Sequence, residues 1–184
     1  MKTVFIGGSR RISRLNDQIR SKLAEIVDRR LQMLIGDANG ADRAVQAQLA
    51  EWHYSHVTIY FVGLKPRNNK GDWPLLRVET PKGVKGFEFY SMKDKQMARE
   101  ADCGLMLWDG ESRGTLANVI NLVSEDKPVA VYVSKQRRFV NVRTPADVGR
   151  LAAGGTHDDP EALQSELPLG VPQKPKRKPR RRTA

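Results

Sequence analysis

Cys103-Gly104-Leu105-Met106-Leu107-Trp108, followed at once by Asp109-Gly110-Glu111-Ser112-Arg113-Gly114-Thr115, is the stretch on which the reading of this chain turns. Its first six residues form an unbroken apolar run, the composition of a strand buried on both faces. Gly110, Ser112, Gly114 and Thr115 interrupt it, and Leu116, Val119, Ile120 and Val123 resume it at helical spacing. A buried strand, a tight polar turn and an amphipathic helix make up half of a parallel βαβ unit. In open α/β sheets, ligands bind where the strand carboxyl ends converge. A turn of Gly, Ser and Thr at a helix start also offers N–H and hydroxyl donors to a phosphate. The lysine of a P-loop is missing, which argues against nucleoside triphosphate hydrolysis of that type.

The same alternation extends in both directions. Residues 3–6 are a short apolar strand stopped by Gly7-Gly8. Ile12, Leu15, Ile19, Leu23, Ile26 and Val27 then trace one helix face, with Ser13 as its N-cap. Residues 31–35 form a second strand, ended by Gly36-Asp37, and Ala41, Ala44, Val45, Leu49 and Trp52 a second helix. A third strand covers 57–62. From 63 to 86 the rhythm breaks at Pro66, Pro74, Pro81 and four glycines; Trp73, Leu75, Leu76 and Val78 make this an ordered flap rather than a linker. A helix over 90–101 leads into the 103–108 strand. Residues 128–133 give the next strand, 139–142 an edge strand, and Thr144-Pro145 a helix start. The expected fold is α/β: a three-layer, Rossmann-like sandwich on a mostly parallel sheet of five to six strands. The domain is placed at 1–152.

The chain has 184 residues and a formal net charge of +11. Lys174, Lys176, Arg177, Lys178, Arg180, Arg181 and Arg182 supply seven of those charges, leaving +4 before them. Residues 153–184 are polar, proline-rich and without apolar period, and read as a disordered basic tail. The lone Cys103 sits in an apolar run and reads as a buried, reduced thiol. His53, His56 and His157 are scattered, and no metal-ligand spacing exists. Neither a signal peptide nor a membrane-length apolar stretch is visible, which reads as a cytoplasmic protein.

Four polar motifs carry the chemistry. Gly7-Gly8-Ser9-Arg10 joins a tight turn to a hydroxyl and a guanidinium able to clamp an anion, or is a plain strand-end turn. In Gly36-Asp37-Ala38-Asn39-Gly40-Ala41-Asp42, Asp37 stands where a carboxylate accepts from ribose hydroxyls. Asp42 falls in a first helical turn, which favours a carboxylate whatever its function. Lys93-Asp94 opens a charged helix face with Lys95, Arg99 and Glu100, and composition alone favours a solvated surface there. The fourth motif runs from Trp108 to Thr115, with Gly110, Ser112, Gly114 and Thr115 set to surround a phosphate.

Taken in order, these motifs resemble the SLOG superfamily of Rossmann-like domains, its YpsA-related and phosphoribohydrolase-like members in particular. Gly8-Ser9-Arg10, Gly36 with Gly40-Ala41-Asp42, Lys93-Asp94 with Met97 and Ala101-Asp102, and Gly110-x-Ser112-x-Gly114-Thr115 carry the likeness. It is nearest to small stand-alone bacterial or phage members. The resemblance implies a nucleotide or nucleotide-derived ligand with its phosphate at Gly114-Thr115. Two departures stand out: Thr115-Leu116-Ala117-Asn118 lacks the carboxylate that follows the threonine in phosphoribohydrolases, and Lys93 replaces an arginine. Cleavage of a ribose–base bond needs a carboxylate, so that chemistry has to draw on Asp37, Asp94 or Glu88.

Three functions therefore stand as expectations. The first is a sensor or regulatory domain holding a nucleotide-like ligand, with no other cofactor. The second is an N-glycosidic hydrolase or transferase with Asp37 or Asp94 as its carboxylate. The third is non-specific nucleic-acid binding through residues 174–182. A homo-oligomer is compatible with each, and a membrane partner with none.

Overall fold

The computed structural model describes residues 1–154. The expected disordered tail therefore lies outside the described residues, apart from its first two positions. Twelve elements run through these residues. They are β1 Thr3–Gly8, α1 Asp17–Asp28, β2 Gln32–Gly36, α2 Ala41–Glu51, β3 Val57–Phe61, β4 Leu75–Arg77, α3 Gly86–Glu100, β5 Cys103–Trp108, α4 Arg113–Ser124, β6 Val129–Val133, β7 Arg138–Val142 and α5 Pro145–Ala152.

The strands form one sheet in the order β4-β3-β2-β1-β5-β6-β7. Every ladder is parallel except β6 with β7. Helices cover both faces. On one side Ile19, Leu23 and Ile26 of α1 and Val45 and Leu49 of α2 pack on Val4, Ile6, Met33, Ile35 and Leu105. On the other, Met97 of α3, Val119 and Leu122 of α4 and Leu151 of α5 pack on Phe5, Leu34, Met106 and Val131. The alternation of strand side chains feeds two separate cores, which is why β5 is apolar throughout. Cys103 is buried there, and burial pushes its thiol up to about 12.

The structure corrects four local expectations. Seven strands replace five to six, because Leu75–Arg77 pairs with β3 inside the flap as a three-residue edge strand. Gly7 and Gly8 do not stop the first strand but continue it, paired with Met106 and Leu107. Helix α1 starts at Asp17 rather than at Ser13. Its cap is Asn16, whose Oδ1 accepts from Ile19 N at 3.0 Å; Ile12 and Leu15 reach the core from the preceding loop and so mimic a helical period. Helix α3 starts at Gly86, four residues earlier than its apolar pattern.

The order of strands places the site. The chain leaves β1 toward β2, β3 and β4, then returns to lay β5 on the other side of β1. The loops after β1 and β5 therefore diverge, opening a crevice at the switch point of a doubly wound sheet. No described helix is long and apolar enough to cross a membrane.

Candidate functional site

A cleft of about 520 Å³ opens at that point, over the carboxyl ends of β1 and β5. Of the sequence-predicted site residues, Gly7, Gly8, Ser9, Arg10, Asp42, Lys93, Asp94, Ser112, Gly114 and Thr115 line it. Gly36, Asp37, Asn39, Gly40, Trp108 and Gly110 do not.

The β1 and β5 loops are stitched together. Ser9 Oγ donates to Asp109 Oδ2 at 2.8 Å and accepts from Arg11 N, while Asp109 Oδ1 accepts from Ser112 N at 2.7 Å and Glu111 N at 3.0 Å. The Ser9 hydroxyl, read from sequence as part of an anion clamp, instead holds the two loops in register. Burial works to raise the Asp109 carboxyl, but the Ser112, Ser9 and Glu111 donors outweigh it and hold the group below its usual range. Ser112 caps α4: its Oγ accepts from Thr115 N at 3.4 Å and from Thr115 Oγ1 at 3.1 Å. Trp108 Nε1 donates to Ser112 O, fixing the turn from below. The first N–H groups of α4, at Arg113 and Gly114, have no intrahelical acceptor by geometry, and Gly114 lines the cleft.

The second motif is used differently from its sequence reading. Asp37 is 1 % exposed, and its carboxylate is taken by the flap: Arg67 donates from its backbone N, Nε and Nη2 at 3.0, 3.0 and 2.6 Å. Burial raises the Asp37 carboxyl, the Arg67 bonds lower it more, and it lies below its ordinary value. Asn39 Oδ1 and Asp37 O both accept from Asn68 Nδ2. Gly40 has φ +83°, and a Cβ there would lie 2.3 Å from the Arg10 carbonyl oxygen, so only glycine lets the two loops touch.

Lys93 overturns the solvated-surface reading of its motif. It is 3 % exposed, and its Nζ meets Asp94 Oδ1 at 2.5 Å. The ammonium passes over Gly36, where a Cβ would stand 2.8 Å from Lys93 Nζ and 2.5 Å from Asp42 Oδ2. Asp42 accepts from Ala38 N at 3.1 Å. Burial pushes its carboxyl up to about 6, against the pull of Lys93. Burial alone lowers the Lys93 ammonium, yet Asp94 and Asp42 bring it above its ordinary value, so it stays charged. A buried cation with two carboxylates is thus built into the cleft wall.

Several lining residues escaped the sequence reading. Arg11 reaches Glu111 at 2.5 Å, and Glu111 also pairs with Lys135. Arg67 comes from the flap, and Phe87, Tyr90 and Asn118 from the helices that flank the opening. Phe87 is 63 % and Tyr90 39 % exposed, and the Arg67 and Arg10 guanidinium carbons lie 4.7 and 5.8 Å from the Tyr90 ring centre. The one available signal was the flap itself, long and rich in prolines yet carrying apolar residues. Glu88 is exposed and does not line the cleft.

No family model matches the chain, and no curated protein does. Among solved structures it is similar to DNA processing protein A from Helicobacter pylori, in a structure reported for its single-stranded DNA binding mode. The TM-score is 0.51 at 16% identity, and the match covers 71% of this chain and 64% of that one. The likeness is one of fold, an α/β domain of Rossmann type.

Proposed function

We propose that this protein binds a nucleotide or nucleotide-derived ligand in the switch-point cleft, as a sensor or regulatory domain of SLOG type. The observation that carries this reading is the meeting of three motif loops on one cleft, with the α4 N-terminus, Thr115 and the exposed Arg10 on its walls. Phosphate sits at Gly114-Thr115, where helix N–H groups and the dipole favour an anion. The exposed Phe87 ring offers a surface for a base. Turnover is the weaker reading, since Asp37 is engaged by Arg67 and Asp94 by Lys93.

Calorimetric titration with AMP, adenosine and inorganic phosphate tests this. AMP binds more tightly than either fragment, and Thr115→Val weakens AMP about tenfold while leaving adenosine unchanged. A protein that binds none of the three refutes the proposal. Incubation with AMP and chromatography for free adenine separates the hydrolase reading from the sensor.

A second reading draws on the fold neighbour, whose structure was reported for single-stranded DNA binding, and on the seven basic residues at 174–182. Here the tail supplies sequence-independent affinity for phosphate backbones.

A further inference from the structure

Arg67 is a tightly positioned cation in the cleft, and no motif of the sequence includes it. Its guanidinium is fixed on two sides. Nε and Nη2 are engaged edge-on by the Asp37 carboxylate, and one face lies 4.7 Å from the Tyr90 ring centre. The backbone is fixed as well, because Arg67 N also donates to Asp37 Oδ2 and Asn68 anchors to Asp37 O. What remains is the other edge, Nη1 with the second Nη2 hydrogen. It has no acceptor among the described residues, and the side chain, 33 % exposed, lines the cleft. A guanidinium held this way presents a planar pair of donors with little entropy left to lose on binding.

Its position within the sheet sets what it can reach. Asp37 directly follows β2, and Thr115 lies in the first turn of α4, the helix after β5; β2 and β5 flank β1 on opposite sides. Two strand spacings separate them, on the order of 10 Å. Arg67 therefore meets a ligand from the β2 side of the cleft and the α4 N-terminus from the β5 side.

We propose, resting on the nucleotide reading above, that Arg67 is a specificity-determining residue that binds a second acceptor-only group of the ligand, and that Asp37 is its positioning residue. The shared chemistry is a planar pair of acceptor atoms matching the guanidinium fork. Two sources supply it: the O6/N7 edge of guanine, or a further phosphate. Adenine does not, because its N6 amino group presents a donor to a donor.

Titrating the full chain with AMP, GMP and ADP tests the assignment. A GMP affinity about tenfold above that of AMP identifies the guanine edge. An ADP affinity above AMP, with GMP and AMP equal, identifies the phosphate. In either case Arg67→Ala brings the ratio of the two affinities to about one. Arg67→Lys, which keeps the charge and the stem, loses a guanine preference but keeps part of a diphosphate preference. Asp37→Asn lowers the same ratio rather than all affinities together, a readout that a purely structural role leaves unmoved. Wild-type protein that binds the three nucleotides equally overturns the proposal alone, as do Arg67 variants that retain a preference. Wild-type protein that binds none overturns the nucleotide reading with it.

Discussion

Asp37 and Arg67 meet edge to edge, with Nε donating to Oδ2 at 3.0 Å and Nη2 to Oδ1 at 2.6 Å. This contact ties the end of β2 to a segment with almost no regular structure. Lys70 N adds a bond to Gln46 Oε1 at 3.1 Å, and Trp73 Nε1 one to Tyr54 O at 2.8 Å. Ahead of β4 the flap is therefore ordered by side chains rather than by a ladder, and its order depends on charge.

Asp37→Asn leaves the shape but removes the charge opposite Arg67. We expect a loss of about 2 kcal/mol at pH 7, less than for a fully enclosed pair because Arg67 is partly solvated. The folded-state carboxyl titrates below its ordinary 3.8, so its contribution is complete above that value and fades as pH falls through the lower folded one. Urea denaturation of both proteins at pH 7 and pH 3 checks this. The gap between them narrows at the acid end.

Asp42 works in the opposite sense. Burial raises its carboxyl from 3.8 to about 6, so between these values the folded state binds more protons than the unfolded one. Stability from this group falls as pH rises from about 4 to 6 and is then constant. Asp42→Asn removes the slope. The difference in stability, variant minus wild type, climbs across that window in a pH series of denaturation curves and levels above it. A difference that does not change with pH contradicts the burial argument.

Glycine at position 40 is required twice, by its φ of +83° and by the Arg10 backbone at 2.3 Å from a Cβ. Gly83 has a similar φ, +89°, with nothing within 4 Å. Gly83→Ala therefore carries the conformational penalty only, about 1 kcal/mol. Gly40→Ala adds displacement of the Arg10 loop and loses at least about twice that. Equal midpoint shifts in the two variants contradict the close approach seen here.

The parts legible in the sequence were those with a period or a breaker. β5 and α4 stood out because an apolar run changed from continuous to helical spacing across one polar turn. The extra strand Leu75–Arg77 was hidden, since three residues at a sheet edge carry no period and its pairing with β3 is purely tertiary. The site was half visible. Loops following strands announced themselves, but Lys93 looked like a surface residue because its burial is created by Gly36 and Asp42, far away in sequence. Asp37 was singled out as a carboxylate for ribose hydroxyls, and in the structure its oxygens accept from Arg67. Its acceptor role is met by Arg67, and nothing local to either residue links them.

The basic tail makes a prediction separable from all of these. Each phosphate neutralised on a single strand contributes about −0.7 to the slope of log affinity against log salt, so seven cations give at most about −5. Filter binding of a single-stranded oligonucleotide to the full chain between low and moderate salt measures that slope. Deleting residues 173–184 abolishes it if the tail is the binding element, while AMP titrates the truncated protein as before. A slope that survives the deletion moves the contact to the folded body. There the exposed Arg10 and the partly exposed Arg67 line the cleft, and mutating either then weakens oligonucleotide and AMP together, because a strand and a nucleotide would be competing for one site.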